Sequence, residues 1–183
     1  GDQYAALYSE TVTVQLENDF LPFLYPNQYV NFTPDSKASQ LALSLIDEDT
    51  VDVDALQQIY DYVVSNLTYD YEKADTVTTG YLPDVDETLK TGTGICFDYA
   101  ALTTAMLRSC DIPCKLQIGY AGDIKHAWID VYIRGKGWVE QAITYDGEKW
   151  NRMDPTFTAN SEDEELINSY IGDSANYTLQ FTR

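Results

Sequence analysis

Three residues in this chain are of types that together perform acyl transfer. Cys96 lies in Thr93-Gly94-Ile95-Cys96-Phe97-Asp98-Tyr99-Ala100, His126 in Lys125-His126-Ala127-Trp128-Ile129, and Asp154 in Arg152-Met153-Asp154-Pro155-Thr156. A thiol supplies a nucleophile, an imidazole a general base, and a carboxylate can hold that imidazole in the orientation and tautomer the base needs. Each residue also has an ordinary reading. Cysteine is among the most buried residue types, a lone histidine is commonly a satisfied core or surface residue, and Asp-Pro starts turns. The three together, in this order, favour the chemical reading.

The surrounding segments must bring these residues to one place. Gly92 and Gly94 end an irregular stretch, and the alanine-rich run Tyr99 to Leu107 carries strong helix formers. Cys96 is therefore expected at or just inside a helix N-terminus, where unpaired N–H groups favour a thiolate by about 0.3–1 kcal/mol. Asp98 and the net negative charge oppose this, although Asp98 also reads as a first-turn acid complementing the helix dipole. The helix ends near Ser109, before Pro113. Lys115 to Tyr120 and His126 to Arg134 alternate as strands, with Trp128, Asp130 and Tyr132 on the His126 face. Gly135-Lys136-Gly137 is a hairpin turn, Trp138 to Ile143 the returning strand, and Lys149 to Asp154 a further segment. If these strands are antiparallel neighbours, His126 and Asp154 begin or end adjacent strands over one helix tip.

Upstream, Thr11 to Leu16 is the best strand candidate, and Phe20 to Pro26 reads as a loop with aromatic plugs. A helix is expected to about Ile46 with Ser36 or Asp35 as cap, and an acidic link spans Asp47 to Asp54. A second helix runs from about Val53 to Asn66 with Leu56, Ile59, Tyr60, Val63 and Leu67 at helical spacing. Thr76 to Gly94 is a long polar connection placed to form one wall of a cleft. Ser161 to Glu165 reads as a solvated acidic helix start or, more sharply, a calcium site, but no twelve-residue EF-hand pattern is present. Asn176 to Thr182 suits an edge strand.

Composition narrows the partners. The 183 residues include 30 acidic and 11 basic side chains, a formal charge of -19, which excludes nucleic acid and disfavours an anionic membrane surface. Such a field draws in cationic partners, such as basic or lysine-rich proteins, or serves solubility alone. No apolar run approaches the roughly 20 residues of a membrane-spanning helix. Of the three cysteines, Cys110 and Cys114 are expected reduced and packed, with a bridge across the Asp111-Ile112-Pro113 turn as the alternative. No CxxC pair and no second histidine suggest a zinc site, so no metal is expected.

Gly94 to Ala100, Arg108 to Pro113, Gly119-Tyr120, His126-Ala127-Trp128 and Asp154-Pro155-Thr156 together resemble the transglutaminase-like superfamily, with its bacterial secreted or surface-anchored branch the best match. The resemblance implies an α+β, papain-like core in which a central cysteine-bearing helix packs on an antiparallel β-sheet, with N-terminal helices. It covers residues 56–158 of one domain spanning 1–183, leaving 1–52 as an N-terminal extension with one helix and 159–183 as a C-terminal one. By resemblance Cys96 is the nucleophile, His126 the base and Asp154 the orienter. Tyr81 resembles by position the aromatic that helps hold the oxyanion in animal transglutaminases, and Trp128 would wall the cleft. The implied activity needs no cofactor and acts on protein or peptide amides through an acyl-enzyme thioester. Hydrolysis, as in a cysteine peptidase or amidase, is favoured; cross-linking of glutamine to amines and a non-catalytic binding or scaffold module are the alternatives. An extracellular or cell-surface location follows from the same resemblance and the acidic composition.

Overall fold

A computed structural model describes residues 10–13, 15–140, 142–145, 150–152 and 177–183. The molecule is built around helix α5 (Cys96–Ser109), whose residues from Asp98 to Arg108 are all buried. Small side chains make this possible. Ala100, Ala101 and Ala105 let neighbouring elements approach from several sides, while Leu102, Met106 and Leu107 fill the spaces between them.

One side of α5 is covered by α1 (Lys37–Leu45) and α2 (Asp52–Asn66). The α2 stripe of Leu56, Ile59, Tyr60 and Val63 is buried as its spacing predicts. Ser36 is the N-cap of α1, but its hydroxyl accepts from Thr33 instead. The helix end is completed from afar, Asp86 Oδ1 accepting from the Ala38 N–H at 3.0 Å. At the start of α2, Asp52 is buried and takes hydrogen bonds from the Arg134 backbone and guanidinium. Thr11 to Leu16 does not form the expected strand among its described residues, and Val12 and Leu16 stand exposed. Phe20 and Phe23 do act as plugs: a 3-10 turn at Leu21–Phe23 sets them against Tyr132 and Trp138.

The connection from Thr76 to Gly94 is more ordered than expected. It follows strand β1 (Thr68–Tyr69) and helix α3 (Tyr71–Thr76), and contains helix α4 (Val85–Thr91) and strand β2 (Thr93–Gly94). Asp84 caps α4 by accepting from the N–H groups of Asp86 and Glu87. Strand β2 pairs in parallel with β1, which fixes the chain as it enters α5.

On the other side of α5 lies a four-stranded antiparallel sheet in the order β5-β4-β3-β8. Its strands are β3 (Cys114–Ala121), β4 (Ile124–Ile133), β5 (Gly137–Val139) and β8 (Tyr177–Thr182), the last forming the expected edge. Alternation assigns Cys114, Leu116, Ile129 and Val131 to the core shared with α5. The segment after the turn does not form one returning strand. It divides into β5 and β6 (Ala142–Tyr145), and β6 pairs with β7 (Trp150–Arg152) in a separate two-stranded sheet. Arg108 gathers several parts: its guanidinium donates to the carbonyls of Cys114, Tyr25 and Arg183, while burial pulls its pKa below the usual arginine range.

Candidate active site

Cys96 is the first residue of α5 and is half-buried, with Ile95 as the N-cap. Ile95 offers no side-chain acceptor, so the helix start is finished by Asp98, whose Oδ2 accepts the Ile95 N–H at 2.8 Å. This is the carboxylate half of a capping box. Gly94 is required for it, because a Cβ there would stand 2.6 Å from the Asp98 Cβ.

Asp98 is the first-turn acid expected, with partners that come from outside its own helix. It is fully buried, forms an ion pair with the Lys73 ammonium of α3 at 2.7 Å, and accepts a short hydrogen bond from the Tyr81 hydroxyl. Burial disfavours the Lys73 ammonium, but the Asp98 contact outweighs it and the lysine pKa is raised. Burial and the neighbouring carboxylate both raise the Tyr81 pKa, so the phenol keeps its proton and donates it. The charge that seemed to oppose a thiolate is thus matched by a cation in direct contact. Tyr81 makes this contact with its hydroxyl, so a role toward an oxyanion would require it to leave Asp98.

His126 is on β4, opposite Gly119 of β3, and is 6% exposed. It shares the expected face with Trp128, the rings stacking at 6.4 Å between centroids and 19° between planes. Tyr177 of β8 touches both, 6.3 Å from His126 and 5.1 Å from Trp128. Ala127, Ile129 and Val131 point the other way, into the core with α5. Asp154 lies outside the described residues, as does the acidic run from Ser161 to Glu165; β7, which leads toward Asp154, pairs with β6.

The other two cysteines are free and chemically quiet. Burial pushes the Cys110 thiol up to about 11. It pushes the Cys114 thiol up to about 12, against a hydrogen bond to Thr104. The residue missed in the sequence is Lys73, and the contact missed is that of Tyr81 with Asp98. The one local signal was Gly94 four residues before Asp98, the spacing of a carboxylate folded back over its own helix start.

An α+β core with a cysteine at the head of its central helix and a histidine on the flanking antiparallel sheet defines the papain-like class of folds. The transglutaminase-like superfamily model matches residues 39–155, more than half the chain, and the protein belongs to that superfamily. The uncharacterised Bacillus subtilis protein YebA is 26% identical over 149 residues, covering 69% of this chain and 20% of YebA. Among solved structures, a candidate cysteine protease from Cytophaga hutchinsonii superposes with a TM-score of 0.60 at 22% identity, covering 92% of this chain and 48% of its own. The periplasmic domain of TgpA from Pseudomonas aeruginosa gives 0.53 at 18% identity, covering 78% and 49%. The chain thus spans about a fifth of YebA and about half of each of these two structures. Among the described residues, no helix is long and apolar enough to cross a membrane.

Proposed function

We propose that the protein catalyses thiol-dependent acyl transfer on protein or peptide amides, with water as the preferred acceptor. Cys96 is the nucleophile, His126 the general base, and Asp154 the residue that orients the imidazole without taking its proton. The reading is supported by Cys96 standing at the first position of α5, and by His126 lying on β4 of the sheet that packs on that helix.

In the reaction, the Cys96 thiol gives its proton to His126 as the sulfur bonds to the amide carbon. The carbonyl oxygen becomes an oxyanion, for which the free N–H groups at the helix start are suited donors. On collapse the C–N bond breaks, the amine leaves with the proton from His126, and a thioester remains. Water then adds with His126 as base, and the C–S bond breaks to release the acid and restore the thiol. Hydrolysis is favoured over amine transfer by the state of the two aromatic residues expected to wall the cleft. Trp128 packs down against His126 and Tyr177, and Tyr81 is tied to Asp98, so neither stands free to screen a thioester from solvent.

An extracellular or cell-surface setting belongs to the same proposal. It is supported by the acidic composition and by the periplasmic origin of the similar TgpA domain. The deciding experiment is mass spectrometry of the protein incubated with a glutamine peptide and excess labelled amine. Cleavage or deamidation, lost in Cys96→Ala and His126→Ala, is expected. Predominant amine incorporation would replace hydrolysis by transamidation, and no conversion of any peptide in a diverse library would remove the enzyme reading.

A further inference from the structure

The group of Lys73, Asp98 and Tyr81 is centred two residues after Cys96 in the first turn of α5, yet takes no part in the steps above. Asp98 comes from the first turn of α5, Lys73 from α3, and Tyr81 from the segment between α3 and α4. The carboxylate uses both oxygens: Oδ2 receives the Ile95 N–H and the Lys73 ammonium, and Oδ1 receives the Tyr81 hydroxyl. Lys73 also lies 4.6 Å above the Tyr81 ring, and that ring makes a T-shaped contact with Phe97, the residue after Cys96. Lys73 is itself held in place, because Asp70 caps α3 through the Lys73 N–H while the Asp70 N–H donates to the Gly94 carbonyl. These contacts form a closed loop of bonds around the segment that carries the cysteine.

We propose that Lys73 and Tyr81 are positioning residues for Cys96: through Asp98 they fix the first turn of α5 and cancel the carboxylate's charge where a thiolate must form. The inference rests on Cys96 being the nucleophile. A carboxylate is the side chain that can take the Ile95 N–H from this position while accepting two further donors. Left uncompensated and buried two residues from the sulfur, it would oppose the negative charge that the helix N-terminus favours. Lys73 supplies the compensating cation from α3 and Tyr81 a neutral donor from its loop. The other titratable group assigned to the sulfur is His126 from β4.

The test is the rate of iodoacetamide alkylation at Cys96, followed by peptide mapping across pH in the wild-type chain, Lys73→Met, Lys73→Arg and Tyr81→Phe. Lys73→Met is expected to move the half-maximal rate upward by about one pH unit and to slow the reaction near neutrality about tenfold. Lys73→Arg restores the charge and should recover the rate to within about threefold. Tyr81→Phe removes one hydroxyl, moves the profile in the same direction by less, and gives the same readout if Lys73→Met does not fold. A folded Lys73→Met or Tyr81→Phe with the wild-type profile overturns the proposal while leaving the nucleophile in place. A wild-type Cys96 that reacts no faster than Cys110 removes the nucleophile, and this inference with it.

Discussion

Replacing Gly119 by alanine tests whether the His126 face is held by backbone contact as closely as the structure indicates. A Cβ at this position would stand 2.0 Å from the Thr178 carbonyl oxygen of β8 and 2.9 Å from Cη2 of Trp128. An ordinary carbon–oxygen approach is about 3.3 Å or more, so β8 must retreat by roughly 1.3 Å. The obstacle is backbone, at the point where the β3–β8 register shifts between Ile118 and Gly119, and no rotamer change relieves it. The retreat carries Tyr177 away from the rings of His126 and Trp128 and weakens the edge pairing. Overpacking of this kind costs about 2–3 kcal/mol, which for a chain of this size lowers the melting temperature by about 5–10 °C. Thermal unfolding by circular dichroism measures the loss, and the near-ultraviolet band reports the Trp128 and Tyr177 environments. A melting temperature within about 2 °C of wild type, with an unchanged near-ultraviolet spectrum, would refute the reasoning.

Three further outcomes are expected. Cys96→Ala should abolish acyl transfer and keep the wild-type melting temperature, whereas Asp154→Asn should reduce turnover without removing it, as read by single-turnover kinetics; equal destabilisation in both would indicate structural roles. Iodoacetamide at neutral pH should label Cys96 and spare Cys110 and Cys114, whose thiols burial holds protonated to about 11 and about 12, as peptide mapping will show. Burial alone would raise the Asp52 pKa, but hydrogen bonds and charge from Arg134 lower it below the usual carboxylate value. Its contribution to stability is therefore present above about pH 4 and lost as the pH falls through the lowered value; in denaturant titrations Arg134→Ala should be destabilised near neutrality and lose less than wild type on acidification.

The elements that could be read from the sequence are those whose signals are local. Helix α5 follows from its alanine run and the glycines before Cys96, and α2 from the recurrence of Leu56, Ile59, Tyr60 and Val63. Strands β3 and β4 follow from alternation and place Trp128 on the His126 face as expected. Helix α4 escaped because its seven residues are too few for a periodic pattern, although Asp84 already offered a cap. Thr11 to Leu16 alternates, yet its described residues form no strand, because alternation alone does not supply a pairing partner. The division of the last hairpin into β5 and β6 has no marker in composition. The partners of Asp98 lie 25 and 17 residues upstream, and that of Asp52 lies 82 residues downstream. Such pairs are set by how helices and turns dock, and no spacing rule reaches them.

Arg108 bears on where this protein can be cut. Its guanidinium is buried, and of its carbonyl acceptors only Cys114 falls within the matched residues 39–155; Tyr25 precedes them and Arg183 follows. A fragment excised at those limits would retain the cation and discard two of the groups that solvate it. It would also lose β8, and with it the Tyr177 ring beside His126. For expression, grafting or fusion, the practical unit therefore includes both Tyr25 and Arg183, with its reach set by the needs of one arginine.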